Sequence, residues 1–222
     1  MKATTGSPRP RFSVAAMSQI GSLLLAGLIA GPAAAVVRST GAGGPWDDPA
    51  TWIGGNPPTA ADDVILSGPV WIAMSAACAS LVVETTGQLT NWTGSPSTLS
   101  VGGNIQNQGS LLSSSLQLTM RVGGDLDNEG TWAVAQTVVT GNADRHLATS
   151  ELSSFSSKLS YDPAASGDLI VDTPFVALAD IALGTGRMIL QPDCPLSLEH
   201  AAFRDGTLLA EGNEIRFLSY GY

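Results

Sequence analysis

The sequence predicts an all-β protein: a right-handed parallel β-helix (β-solenoid) with an N-terminal cap, after a cleaved signal peptide. The first observation is a repeat. The segment 101–111, Val-Gly-Gly-Asn-Ile-Gln-Asn-Gln-Gly-Ser-Leu, recurs at 122–132 as Val-Gly-Gly-Asp-Leu-Asp-Asn-Glu-Gly-Thr-Trp. A period this short corresponds to one supersecondary unit. We therefore expect the two copies to stack as adjacent coils of a solenoid.

The second observation is a series of short apolar-x-apolar triplets. They are typical of strands whose alternate residues face the core, and Gly and Asn between them favour tight turns. An antiparallel β-sandwich is the competing fold, but its turns would not return the same motif at so short a period. The triplets lie at 81–83, 99–101, 120–122, 169–171, 181–183, 196–198 and 215–217.

Residues 1–35 have the organisation of a secretory signal peptide. Basic residues precede a largely apolar stretch at 14–29, and Ala33-Ala34-Ala35 is a small-residue cleavage site. A membrane anchor is the alternative, which the polar residues within the apolar stretch make weaker. The segment predicts a secreted or cell-surface protein, and no other stretch predicts a transmembrane helix.

The charge of the remaining chain limits the classes of partner. The leader holds three basic residues and no acidic residue, which leaves 7 Lys and Arg against 19 Asp and Glu, a net charge of −12. Nothing basic is clustered to meet phosphates, which argues against nucleic acids and anionic membranes. The acidity is compatible with neutral glycans and with divalent cations.

The segment 36–66 differs from the repeats that follow. Trp46 and Trp52 stand among Gly and Pro residues, as expected for a cap over the open end of a solenoid. The same two rings are candidates for ligand contact. Residues 67–222 are then expected to form the coils, with the solenoid incomplete at the C-terminus.

The pattern Trp46, Trp52-x-Gly-Gly, Pro58 and Asp62-Asp-Val-x-Leu66 resembles the start of the extracellular eight-glycine (G-eight) domain. It is similar also to the opening of many large secreted bacterial β-helix proteins. The resemblance covers 44–111. It implies a right-handed β-helix, an extracellular location and, in some members, a link to polysaccharides. It implies no catalytic residue.

The repeat assigns roles within a coil. Val101, Ile105 and Leu111, with their counterparts one coil later, are expected to face the core. Asn107 and Asn128 occupy equivalent turns, where stacked amides can hydrogen-bond along the solenoid axis. Contact with a sugar or an ion is the alternative role for these two amides, and turn chemistry is the favoured one.

Asp125 and Asp127 are the remaining candidates for ligand contact. With Glu129 and Gly130 they match the first half of a calcium-binding loop, but the twelfth position is Gln136 rather than a bidentate Glu. The segment is also explained as a copy of the carboxylate-free repeat before it. We therefore predict no catalytic residue, no metal ligand and no cofactor, with calcium as the alternative.

The two cysteines are expected to remain separate thiols. Cys78 and Cys194 lie about five coils apart, and at ~4.8 Å per coil their separation far exceeds the reach of a disulfide.

These observations favour a secreted, non-catalytic β-solenoid that is structural or binds glycans and other cell-envelope components. The alternatives are a polysaccharide-degrading enzyme of the β-helix type, either a glycoside hydrolase or a lyase, and a fragment of a larger adhesin. Ile215–Phe217 is expected to be the last strand. Because Tyr220 and Tyr222 add apolar surface beyond it, this end should self-associate or continue into further coils.

Overall fold

The computed structural model describes residues 35–92, 94, 96–150, 153–162 and 164–218. The predicted signal peptide lies almost entirely outside these residues, as do Tyr220 and Tyr222. The described chain is a parallel β-solenoid of about seven turns, which confirms the predicted fold class. Its only helical elements in these ranges are two short 3-10 segments, Pro49–Thr51 and Ser114–Leu116.

Each full turn contributes one strand to each of three faces, and neighbouring strands on a face pair in parallel. Face 1 consists of β1 (Val36–Arg38), β3 (Asp63–Leu66), β6 (Ser80–Val83), β9 (Ile105–Asn107), β12 (Leu126–Asn128), β15 (Arg145–Thr149) and β18 (Asp168–Val171). Face 2 consists of β5 (Ala76–Cys78), β8 (Ser97–Val101), β11 (Leu118–Val122), β14 (Gln136–Val139) and β17 (Lys158–Tyr161). Face 3 consists of β2 (Gly44–Pro45), β4 (Pro69–Ile72), β7 (Gln88–Asn91), β10 (Ser110–Leu112), β13 (Thr131–Ala133) and β16 (Ser154–Phe155).

The last turns are less regular. The long strand β20 (Ile181–Leu190) pairs with β17 through its first residues and with β18 through its last, so it joins faces 1 and 2 into one sheet. The strand β22 (Phe203–Leu209) pairs with β20. A separate three-stranded sheet continues the third side of the solenoid with β19 (Phe175–Ala177), β21 (Leu196–Glu199) and β23 (Ile215–Leu218).

The two copies of the repeat lie directly over each other. Val101 pairs with Val122, Ile105 with Leu126 and Leu111 with Trp132. All six side chains are buried, as the alternation of each strand predicts. The stacking prediction is therefore confirmed.

Turn residues also stack from coil to coil. Asn107 and Asn128 are both fully buried, and the Asn107 Nδ2 donates to the Asn128 Oδ1 at 2.7 Å. This is the predicted amide ladder. Gly109 and Gly130 are required at the adjacent corner. A Cβ on Gly109 would lie 2.2 Å from the Gly87 carbonyl oxygen, and one on Gly130 would lie 2.2 Å from that of Gly109.

Parallel pairing already begins within the segment predicted as a cap. The strand β1 pairs with β3, and β2 pairs with β4. Trp46 and Trp52 follow β2 and enclose the core at this first turn, with exposed fractions of 6% and 2%. Cys78 and Cys194 are separate buried thiols, as expected, and burial raises the pKa of Cys78 to about 12.

The strand β23 is the last described strand, as predicted for Ile215–Phe217. It pairs with β21 on one side, and no described strand covers its other side. Phe217 is 73% exposed there. Over the described ranges, no helix has the length and apolarity that a membrane span requires.

Candidate functional site

Trp46 and Trp52 are integrated into the core. The Trp52 Nε1 donates to the carbonyl oxygen of Trp46 at 2.7 Å, and the two rings meet edge to face with centroids 5.2 Å apart. Their burial leaves little ring surface on which a ligand could stack. The two tryptophans therefore serve the packing of the first turn.

Asp125 belongs to a ladder of turn residues on face 1. The Asn104 Oδ1 accepts the backbone N–H of Asp125, and the Asp125 Oδ1 accepts that of His146, both at 2.9 Å. Asp125 and Asn104 thus perform the same bridging role in successive coils. The Asp125 carboxylate accepts a backbone N–H from the neighbouring coil, and an amide oxygen can do the same. This explains why Asn104 occupies the equivalent position in the preceding copy of the repeat.

Asp127 lies on the outer surface of β12, directly beside Gln106 of β9. It is partly buried, and this burial, together with the negative charge of Glu129, raises the pKa of its carboxyl group above the usual range. Asp125 and Asp127 are two residues apart on an extended chain, so both project outward from the same face.

These two carboxylates border a shallow groove of about 400 Å³ on face 1. The groove is also lined by Ser80, Asn104 and Gln106. Gln136, the twelfth residue of the calcium-loop pattern, lies instead on β14 of face 2. The segment is therefore a strand and not a closed loop, and no group of three His, Cys, Asp or Glu side chains within the described ranges is arranged to hold a metal ion.

Face 3 carries the most exposed aromatic pair of the described chain. Trp71, on β4, projects outward between the buried residues Val70 and Ile72. Trp92 follows β7 and is 53% exposed. The ring centroids are 5.9 Å apart and the planes are inclined by 40°, so the two indoles form one bent aromatic surface.

The backbone beneath this aromatic pair is fixed by hydrogen bonds. The N–H of Trp92 donates to the Ile72 carbonyl at 2.8 Å. The buried Asn91 side chain clamps the following turn, since its Oδ1 accepts the Ser114 N–H at 2.6 Å and its Nδ2 donates to the Ser114 carbonyl at 3.2 Å. The backbone beside Trp92 is therefore hydrogen-bonded to the coils before and after it.

The six strands of face 3 contain no charged residue. Two rows of outward side chains cross them along the solenoid axis. One row is Gln88, Ser110 and Thr131, whose side chains make no hydrogen bond to another described residue. The second row begins at Trp71 and continues through Thr90, Leu112 and Ala133. Face 3 is thus an uncharged surface with aromatic, amide and hydroxyl groups.

Sequence reasoning missed Trp71 and Trp92, although a signal for Trp71 is present. Pro-Val-Trp-Ile at 69–72 places tryptophan between two aliphatic residues, and the two-residue period of a strand then directs the ring outward. Trp92 gives no comparable signal, because it lies just beyond β7, where the turn decides its direction.

Comparisons with known proteins give no relative from which a function could be inferred. No protein-family model matches the chain, and neither the curated proteins nor the solved structures contain a match to it.

Proposed function

We propose that this protein is a secreted or cell-surface, non-catalytic β-solenoid that binds a neutral glycan on face 3, with Trp71 and Trp92 as the stacking platform. The observation that carries the proposal is the pair formed by the exposed Trp92 and the half-buried Trp71 on a sheet face whose strands have no charged residue. An aromatic face has a negative quadrupole and a large apolar area. It therefore suits the C–H surface of a pyranose ring, whose hydroxyl groups remain at the rim.

The polar groups beside the platform suit those hydroxyls. Thr90 lies next to Trp71 across the β4–β7 pair, and Gln88 lies two residues earlier on the same strand. Ser110 and Thr131 extend the row on the following coils. The side chains of Gln88, Ser110 and Thr131 offer donors and acceptors that no described residue uses, and the Thr90 hydroxyl makes only a long bond of 3.5 Å to the Asn91 carbonyl oxygen.

The charge distribution favours a neutral glycan over an acidic one. With a net charge of −12 after the leader, the chain repels a polyanion at long range. Face 3 has no Lys or Arg in its strands to offset that repulsion. A neutral glycan avoids both the repulsion and the cost of desolvating a charge.

Binding of neutral and acidic polysaccharides to the secreted chain tests the proposal. Calorimetric titration should detect a neutral glycan and no polyanionic one. Trp71→Ala and Trp92→Ala should each weaken binding at least about tenfold, equivalent to about 1.4 kcal/mol. Phe217→Ala is the matched control, because it removes an exposed aromatic ring on a different sheet. Equal binding by all three variants, or exclusive binding of polyanions, would refute the platform.

One observation favours a glycoside hydrolase as the second candidate. Asp125 and Asp127 border one groove, and a separation of two residues on an extended chain places their backbones about 7 Å apart. The carboxyl groups of catalytic pairs are about 5–10 Å apart. The raised pKa of Asp127 is a property of a general acid. Release of reducing ends from a bound polysaccharide, abolished in Asp127→Asn, would establish the enzyme and replace the non-catalytic proposal.

A further inference from the structure

We infer that face 3 binds a linear polysaccharide lengthwise, with the sugar chain running along the solenoid axis from the Trp71–Trp92 platform across successive coils. The inference rests on the proposed function and specifies the class of glycan: an unbranched, neutral polymer that is recognised over several residues rather than at one end.

The dimensions of face 3 decide between the two directions in which a chain could lie. Along a strand, the face is at most four residues wide, which is about 13 Å. Along the axis, the strands from β4 to β16 make four steps of ~4.8 Å, or about 19 Å. The axial direction thus offers about one and a half times the length, and the turns at both ends of every strand interrupt the other direction.

The surface along the axis is also repetitive. Gln88, Ser110 and Thr131 are in register on β7, β10 and β13, so a hydrogen-bonding group recurs at every coil. In the neighbouring row, Leu112 and Ala133 are in register on β10 and β13. Beyond the platform these rows contain no further aromatic or charged side chain that would block the path.

The platform gives this path one defined end. Trp71 and Trp92 are the only tryptophans with substantial exposure among the described residues, and both belong to the first coils of face 3. A sugar stacked on them is at the N-terminal end of the rows. The hydroxyl-bearing coils that follow give the polymer its longest path from there, since only the two-residue strand β2 lies on the other side of Trp71.

A second copy of this chain is the other occupant to consider, because two uncharged faces can pack together. We favour the glycan, since the row of Gln88, Ser110 and Thr131 would bury polar groups against a partner of the same composition. The indole pair also covers only one end of face 3, whereas the interface between two copies of a protein usually has an apolar centre. Sedimentation of Ser110→Lys distinguishes the two occupants, because this variant would lose an association through face 3 and keep one through β23.

The test is a series of cello-oligosaccharides and laminari-oligosaccharides from dimer to hexamer, titrated into the secreted chain. We expect affinity to rise with length over several sugar units in at least one series. Thr131→Lys and, independently, Ser110→Lys should weaken hexamer binding about tenfold or more, and the loss should be larger for the hexamer than for the dimer. Thr119→Lys on β11 of face 2 is the matched control, because it places the same charge at an outward threonine away from face 3. Thermal unfolding of each variant verifies folding.

The outcomes separate this inference from the proposed function. Affinity that is equal from dimer to hexamer, with no effect of Thr131→Lys, would overturn lengthwise binding while a loss in Trp71→Ala still supports the platform. No binding at any length together with no effect of either tryptophan would overturn both. A dimer that Ser110→Lys converts to a monomer without any glycan would also overturn the inference, since face 3 would then be occupied by a second copy.

Discussion

Replacing Trp52 with alanine is expected to destabilise the N-terminal turn strongly. The indole is 2% exposed and packs edge to face against Trp46. Truncation of a buried aromatic residue to alanine costs about 3–5 kcal/mol. The Trp46 carbonyl also loses the donor that now lies 2.7 Å away, and leaving a buried acceptor unbonded costs about 1–3 kcal/mol. The truncation cost already includes part of the cost of the unbonded carbonyl, so we expect a total loss of about 5 kcal/mol.

Urea unfolding measures this loss, followed by far-ultraviolet circular dichroism and by tryptophan fluorescence. Solenoid turns contact mainly their neighbours, so the first turn could unfold separately, and coincident transitions from the two probes would exclude that. Trp52→Phe keeps a smaller aromatic ring and removes the N–H, so it should lose about 1–3 kcal/mol. Trp92→Ala, at a half-exposed position beside Trp71, should lose only about 0.5–1.5 kcal/mol. A loss below about 1 kcal/mol in Trp52→Ala would refute the packing role.

Three further predictions concern the ladder, the acidic groove and the C-terminal end. Asn107→Ala should lower the free energy of unfolding in urea titrations by about 1–3 kcal/mol, because the Asn128 side chain loses a buried hydrogen-bond donor. The control Gln106→Ala, on the exposed side of the same strand, should change it by less than about 0.5 kcal/mol. The folded state raises the pKa of Asp127, so its ionised form opposes folding above that pKa. Asp127→Asn should therefore raise the melting temperature at pH 7. The difference from the wild type should disappear at acidic pH, where the wild-type carboxyl group is protonated. A lower melting temperature of Asp127→Asn at pH 7 would contradict the reasoning. The chain should self-associate through β23, and Phe217→Lys should shift sedimentation toward the monomer, while a wild type that sediments as a monomer at high concentration would contradict this expectation.

The solenoid could be predicted because its determinants are local and repeated. Each strand pattern fixes which residues face inward, and the repeat from 101–111 to 122–132 fixes which residues stack. Stacking in turn accounts for Asn107 and for Gly109, where a Cβ would collide with the coil before it. These features need only the periods of a strand and of a coil, and both can be read from the sequence.

The features that could not be predicted depend on how different coils are combined. Trp71 and Trp92 are 21 residues apart in sequence and belong to adjacent coils, so their pairing follows from the register of β4 with β7. The union of faces 1 and 2 through β20 was also not evident. The triplet 181–183 indicated a short strand, but β20 continues to Leu190 through an irregular region around Gly184, whose φ is +60°.

The acidity of the chain has a structural explanation, and this explanation supports face 3 as the ligand-binding surface. Asp residues stand immediately before several strands, where a carboxylate oxygen accepts a backbone N–H from an adjacent coil. Four of them are Asp62, Asp125, Asp144 and Asp180, with acceptor distances of 2.9–3.1 Å. Hydrogen bonds keep the pKa of Asp62 below its usual range, chiefly that from the Thr59 hydroxyl, and those from Arg204 and then the Ala202 N–H do the same for Asp180. A carboxylate that closes a turn has an oxygen engaged by the backbone of a neighbouring coil, and the calcium-loop pattern around Asp125 then follows from the needs of a turn. Face 3 has no such carboxylate in its strands, so its tryptophans, hydroxyls and amide are the groups that the architecture leaves for recognition.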